Sequence, residues 1–162
     1  MKLSFVIPSF NDERIVETIN SINAIKTTRT NLEIIVQDGG SEASVLQKIR
    51  SVLCENDKLV VELDNGIFDG INRGIKNATG DMILTLGTDD RVYDQLIYDK
   101  ILKEYEAGTS LINVGLAYTD ENWKVKRKWI ARKFSILRYI IGIQYAHFGL
   151  VCTPEVYKKF GS

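Results

Sequence analysis

Two adjacent carboxylates, Asp89 and Asp90, follow the mostly apolar run Met82 to Leu86 across a Gly87-Thr88 turn. Paired acids at the end of a buried strand repel each other unless a cation neutralises them. A hard divalent ion with oxygen ligands does this economically. The competing reading is a solvated acidic turn in which Asp90 pairs with Arg91. On this stretch alone both readings stand.

Three other polar stretches have the same relation to an apolar run. Leu3 to Ile7 ends in Pro8-Ser9-Phe10-Asn11, Leu32 to Gln37 in Asp38-Gly39-Gly40-Ser41, and Lys58 to Leu63 in Asp64-Asn65-Gly66. Helical periodicity separates these strands. Glu13 to Ile25 places Ile15, Val16, Ile19, Ile22 and Ile25 on one face, with Asn11 or Asp12 as its cap. Ala43 to Leu53 is a second helix. Ile67 to Asn77 is a third, with Phe68, Ile71 and Ile75 on its apolar face. In that helix Asp69 and Arg73 stand four apart, so they either pair or turn to a ligand. A fourth helix is predicted from Asp94 to Ala107.

Four strand–helix alternations predict an α/β fold: a mostly parallel, Rossmann-like sheet flanked by helices. Ligands of such sheets bind beyond the carboxyl ends of the strands. All four ends here carry residues suited to ligands, which favours a polar cleft and the metal reading. After Gly108 the pattern changes. Ser110 to Tyr118 and Trp123 to Ile130 read as an antiparallel hairpin, Phe134 to Ile143 as helix or irregular, and Pro154 to Phe160 as a helix with Pro in its first turn.

The 162 residues are 44% hydrophobic and 26% charged, which suits one globular domain, and a net charge of +0 makes a nucleic-acid partner unexpected. No apolar run is long enough to span a membrane. The opening MKLSFVIPSF lacks a secretory cleavage site and reads as a first strand. Cys54 and Cys152 are far apart and read as reduced thiols, with the cytoplasm as the expected compartment.

From Lys124 to Arg138 there are seven basic residues and no acid, interleaved with Trp123, Trp129, Phe134 and Tyr139. This is either a solvated hairpin face or a patch for anionic lipid headgroups or a lipid-diphosphate acceptor at the inner face of the membrane, with nucleic acid a weaker third reading.

Taken in order, these stretches resemble the family 2 glycosyltransferases of GT-A fold, especially bacterial enzymes that build surface polysaccharides. Val6-Ile7-Pro8-Ser9-Phe10-Asn11 resembles the family's opening strand and loop. Gln37-Asp38-Gly39-Gly40-Ser41 resembles its D-G-G-S element. Glu62 to Ile75 resembles E-x-D-x-G-I-Y-D-A-M-N-K-G-I. Ala78-Thr79-Gly80-Asp81 and Leu86-Gly87-Thr88-Asp89-Asp90 resemble A-T-G-D and L-N-S-D-D. Ala146-His147-Phe148 resembles the later His-Gln segment. Gly87 replaces the usual Asn, Gly70 the usual Ala, and Phe148 the usual Gln.

The resemblance implies a metal-dependent, inverting transfer of a sugar from a nucleotide-sugar donor, with UDP-sugar expected, to a saccharide or lipid-linked acceptor. It implies Mn²⁺ or Mg²⁺ held by Asp90 with Asp89, and places Asp89 nearer the ribose. It implies donor binding by Pro8, Ser9, Phe10, Asn11, Asp38 (reading uracil), Gly39, Asp64, Gly66, Asp69, Arg73 and Asp89, and gives His147 and Asp69 catalytic roles. Residues 1–108 then form the nucleotide-sugar half and 109–162 the start of the acceptor half. The family's later acidic motif, which supplies the general base, has no counterpart before Gly161-Ser162, so the chain is expected to be cut short there. Asp120 and Glu121, on a turn, are poor substitutes. A sugar-nucleotide-binding module without turnover is therefore the alternative. A nucleotidyltransferase is disfavoured because Pro8 to Glu13 is not a Gly-rich basic loop.

Overall fold

The computed structural model of the chain describes residues 1–27, 30–131, 137, 140 and 149–160. Its elements run β1 (Leu3–Ser9), α1 (Ile15–Asn23), β2 (Leu32–Asp38), α2 (Ala43–Val52), β3 (Lys58–Val61), α3 (Ile67–Asn77), β4 (Met82–Thr85), α4 (Ile97–Glu106), β5 (Leu111–Asn113), β6 (Leu116–Thr119), β7 (Val125–Trp129), β8 (Leu150–Cys152) and α5 (Pro154–Phe160). A six-stranded sheet has the order β3-β2-β1-β4-β8-β5. β1 pairs in parallel with β2 and β4, and β2 with β3, while β8 runs antiparallel between β4 and β5.

β1 and β2 are buried at every position. Central parallel strands covered on both faces read as continuous apolar runs, which is why they were legible without alternation. Alternate residues feed two cores. Leu3, Phe5 and Ile7 meet Ile15, Ile19 and Ile22 of α1, Val45 and Ile49 of α2, and Tyr98 and Ile101 of α4. Val6, Ile35 and Ile83 meet Ile71 and Ile75 of α3, with Tyr157 of α5 at the margin. Helices thus cover both faces, as the alternation required.

α3 lies so close to β1 that a Cβ on Gly74 would stand 2.4 Å from Val6 Cγ1. Gly74→Ala should therefore overpack this contact and destabilise by about 1–3 kcal/mol, despite the better helix propensity of Ala. Urea unfolding measures it; an unchanged or raised midpoint would show that α3 shifts freely.

The C-terminal part differs from expectation in two ways. Ser110 to Tyr118 is not one strand: β5 completes the main sheet, and β6 leaves it after Val114-Gly115 to pair with β7. Both pieces are apolar, so periodicity shows no break. β8 inserts beside β4, a non-local pairing that no local pattern announces. The predicted stretch Phe134 to Ile143 lies largely outside the described residues.

Candidate functional site

The parallel strands bring all four polar ends to one edge of the sheet. Ser9 and Asp38 are register partners at the ends of β1 and β2, and Gly39 N–H donates to Ser9 O at 2.8 Å. The Asp38 carboxylate is fully buried. It accepts from Gly40 N–H (3.0 Å), Ser41 N–H (2.7 Å) and Ser41 Oγ (2.6 Å). Ser41 Oγ in turn accepts from Asn11 N–H (2.7 Å).

Asn11 has φ 49, a left-handed conformation that Asn tolerates. Its Oδ1 accepts from Glu42 N–H at 2.8 Å. Of the two residues the sequence offered as the α1 cap, Asn11 instead braces the start of α2 and Asp12 meets the start of α1. α1 begins after Arg14, whose N–H donates to Asp12 Oδ1 at 3.0 Å. Phe10 stands beside this turn, 64% exposed, and the Ser9 hydroxyl is buried without a hydrogen-bond partner among the described residues. A buried hydroxyl without a partner, beside an exposed aromatic, is a pair of features that a bound ligand would answer.

Asp64 links the third end to the first two. Its Oδ1 accepts from Gly66 N–H at 2.9 Å. Its Oδ2 lies 3.0 Å from the points where a Cβ would stand on Gly39 and on Gly70, and the Gly70 point is 3.4 Å from Pro8 Cβ. Side chains at either glycine would crowd this carboxylate.

Asp69 and Arg73 do pair, at 3.0 Å, and Arg73 also reaches Glu62 at 3.4 Å. Asp69 Oδ2 accepts from Asn65 N–H as well, bracing the start of α3. The bond from Arg73, then that from Asn65, lowers the Asp69 carboxyl below the ordinary carboxylate range. Of the two readings for these residues, the structure shows the ion pair.

At the fourth end the two carboxylates converge. A Cβ on Gly87 would stand 3.2 Å from both Asp89 Oδ1 and Asp90 Oδ2, so glycine at this position keeps the space between them open. Asp90 Oδ2 accepts from Gly87 N–H at 2.7 Å. Burial raises the Asp90 carboxyl, the Gly87 bond opposes this, and the Asp89 charge adds to it. Asp89 is exposed and takes Arg14 Nη1 on Oδ2 at 3.1 Å. Arg14 also grips Asp12 at 2.7 Å, and Asp12 accepts from Thr88 Oγ1 at 2.5 Å. The Arg14 bond is the largest influence holding the Asp12 carboxyl down to about 2.

α1 fixes this loop from below. The Thr18 hydroxyl lies 2.8 Å from Thr88 O and 2.6 Å from Asp90 O, and Ser21 Oγ accepts from Val92 N–H at 2.9 Å. Arg91 does not pair with Asp90. It bonds Glu17 and lies over the Trp123 ring.

Asp12, Arg14 and Thr18 escaped the sequence reading because they act across 70 or more residues of chain. The one available signal was an Asp and an Arg in the loop directly after a cleft-facing strand end. His147 lies outside the described residues.

No group of three or more His, Cys, Asp or Glu side chains among the described residues is placed to hold a metal. Asp89 and Asp90 nonetheless fit one. They offer two hard oxygen donors across an open gap, and Asp90 carries a burial penalty that a cation would relieve. Divalent ions commonly take one or two carboxylates and fill the remaining positions from substrate phosphates and water.

A family model described as Glycosyl transferase family 2 matches residues 4–154. A PGL/p-HBAD biosynthesis glycosyltransferase of Mycobacterium bovis is 32% identical over 96 residues, covering 56% of this chain and 36% of that protein. The uncharacterized glycosyltransferase YfnE of Bacillus subtilis is 29% identical over 119 residues, covering 72% of this chain and 30% of that protein. The chain thus spans about a third of the length of these relatives.

Among solved structures, S. aureus TarS 1-349 superposes with a TM-score of 0.75 at 22% identity, over 98% of this chain and 49% of that one. It has also been solved with UDP-GlcNAc. The mannosyltransferase PcManGT of Pyrobaculum calidifontis, in complex with GDP-Man and Mn²⁺, gives 0.68 at 13% identity, over 99% of this chain and 46% of that one. At such identities the likeness is one of fold, and it agrees with the GT-A architecture. With the family model covering nearly every residue from β1 to the start of α5, this chain belongs to glycosyl transferase family 2.

Proposed function

We propose that this chain binds a nucleotide-sugar, a UDP-sugar in the first instance, and transfers its sugar with inversion to a saccharide or lipid-linked acceptor. The observation that carries this is the convergence of Asp89 and Asp90 over Gly87 at the same sheet edge as the Ser9, Asp38 and Asp64 cluster.

The base packs against Phe10 and the 39–41 turn, which Asp38 shapes through its three hydrogen bonds. The Ser9 hydroxyl and Asp64 Oδ2 face the middle of the donor. Asp89, closest to the ribose, is oriented by Arg14. Asp90 with Asp89 holds Mn²⁺ or Mg²⁺, which when bound supplies positive charge to the departing diphosphate. Arg14, which pairs with Asp89 at 3.1 Å, is a cation at this carboxylate pair on the protein side. The compartment proposed with this reading is the cytoplasm, with peripheral contact at the inner face of the membrane.

Titration calorimetry with UDP, GDP and CDP, each with and without Mn²⁺, tests the reading. UDP is expected to bind at least tenfold tighter with Mn²⁺ than without, and tighter than the other two. Metal-independent binding, or no nucleotide binding, would refute it. Nucleotide binding without release of UDP against any acceptor would instead favour the binding-module alternative.

A further inference from the structure

We propose that the β6–β7 hairpin docks this protein on an anionic lipid surface, holding the cleft at the membrane. The inference does not depend on the transferase reading. It starts from charge. Seven of the chain's 21 basic residues and none of its 21 acidic ones lie between Lys124 and Arg138. A net charge of zero therefore conceals a basic segment set against a net acidic remainder.

The described part of this segment contributes β7, which pairs with β6 in a two-stranded sheet separate from the main one. Lys126, Arg127 and Lys128 are consecutive and all exposed, as are Ala117 and Tyr118 opposite them, while Leu116, Val125 and Trp129 are half-buried, so no residue of the hairpin is fully buried. Isolated two-stranded hairpins are marginal in water; a partner surface would complete this one. Lys126 pairs with Asp120 at 2.9 Å. Lys124, Arg127 and Lys128 make no ion pair among the described residues.

The apolar residues select the partner. Ile130, directly after β7, is 70% exposed. A phosphate backbone offers an exposed isoleucine nothing, whereas the boundary between headgroups and acyl chains receives it. Nor are the indoles free to stack on bases: Arg91 lies 3.4 Å over the Trp123 ring and Arg127 lies 5.7 Å over that of Trp129. Basic side chains around aromatic and aliphatic ones are the makeup of a peripheral lipid contact.

The same Arg91–Trp123 contact fixes the orientation. Trp123 has φ 60, uncommon for a bulky side chain, and stacks on the residue next to Asp90. A membrane bound by the hairpin thus lies beside the acidic loop.

The chain's only two tryptophans, Trp123 and Trp129, are both in this hairpin, so tryptophan fluorescence, excited beyond the tyrosine band, reports on it alone. The test is flotation of the whole chain with phosphatidylcholine vesicles, with and without phosphatidylglycerol, alongside quenching by brominated lipid. Binding is expected only to the anionic vesicles, with blue-shifted and quenched emission, and with loss at high salt.

At about fivefold per basic residue near a charged surface, Lys124→Ala/Arg127→Ala/Lys128→Ala should weaken partitioning by roughly a hundredfold, with an unchanged circular dichroism spectrum. Equal binding to neutral vesicles, no binding, unquenched emission in bound protein, or tighter binding to single-stranded oligonucleotide than to vesicles would each overturn the proposal. If the triple variant unfolds, Ile130→Ser gives the second reading: weaker quenching supports the contact and undiminished quenching refutes it.

Discussion

Asp90→Asn should lower sugar transfer by on the order of a thousandfold or more while leaving the protein as stable as before, or more so. The activity loss follows from the charge. A divalent ion at a diphosphate leaving group supplies several kcal/mol to the transition state, and about 1.4 kcal/mol is tenfold in rate. Asn keeps an oxygen for Gly87 N–H, so the loop geometry survives, but it cannot neutralise a cation.

The stability expectation follows from the direction of the Asp90 shift. Burial raises its carboxyl in the folded state. Its favourable contribution is thus present below the unfolded pKa and lost as pH rises through the folded one, so at neutral pH the ionised group is a burden that Asn removes. Metal affinity should likewise fall on acidification sooner than for an ordinary carboxylate, because the ion must displace the proton.

UDP release and a thermal melt measure both halves of this expectation, and calorimetry with UDP and Mn²⁺ serves if the chain alone does not turn over. Near-native turnover or metal binding in the variant would remove Asp90 from the site. Asp89→Asn should do less harm, since Asp89 is exposed and already answered by Arg14.

The second large effect lies at the opposite edge of the sheet. Glu33 on β2 is a charged side chain only 1% exposed. Lys2 Nζ meets it at 2.6 Å. Ser4 Oγ donates to it at 2.5 Å, Thr79 N–H at 2.6 Å and Thr79 Oγ1 at 2.9 Å. Burial would raise its carboxyl, but the bonds from Lys2, Ser4 and Thr79 outweigh burial and lower it to about 2.

Glu33→Ala strands four donors, one of them a cation, and should cost about 3–5 kcal/mol, a large share of the roughly 5–15 kcal/mol of a typical domain. Glu33→Gln keeps an acceptor and should cost less. With a folded pKa below the unfolded value of 4.5, this group stabilises fully above pH 4.5 and loses its effect as pH falls through about 2. Urea unfolding from pH 7 to pH 2 measures this. A Glu33→Ala midpoint equal to the native one would show that the network contributes nothing net.

The contrast between these two carboxylates shows what the sequence could and could not disclose. Asp89 and Asp90 were legible because a buried strand announces itself as an apolar run and polar residues at its carboxyl end have few structural reasons to be there. Asp38 was legible as a polar residue at a strand end for the same reason, but not its preoccupation with its own turn, which depends on Ser41 folding back. Glu33 was invisible. It sits inside a strand, where a lone acid looks like a solvent-facing position, and its partners come from Lys2 just before β1, from Ser4 of β1 and from the loop after α3.

Helix cores were well placed because amphipathic periodicity is local. Helix ends were not: α1 starts two residues later than its periodicity suggested, after Arg14. The Asp69–Arg73 spacing disclosed a possible pair, and whether it faces inward or outward was set by α3's packing on β1.

β8 carries one further consequence, for the order in which the protein takes shape on the ribosome. Chains emerge from their N-terminus, so β1 to β4 can assemble early. Until residues near 150 emerge, Ile83 and Leu84 of β4 lack the antiparallel neighbour that pairs with them. An apolar strand with an open edge invites association with other chains. The strand that bears the acidic loop is thus the last of the central strands to be sealed, and a ribosome paused within the hairpin region would hold out a nearly finished β1–β4 unit with its stickiest edge uncovered.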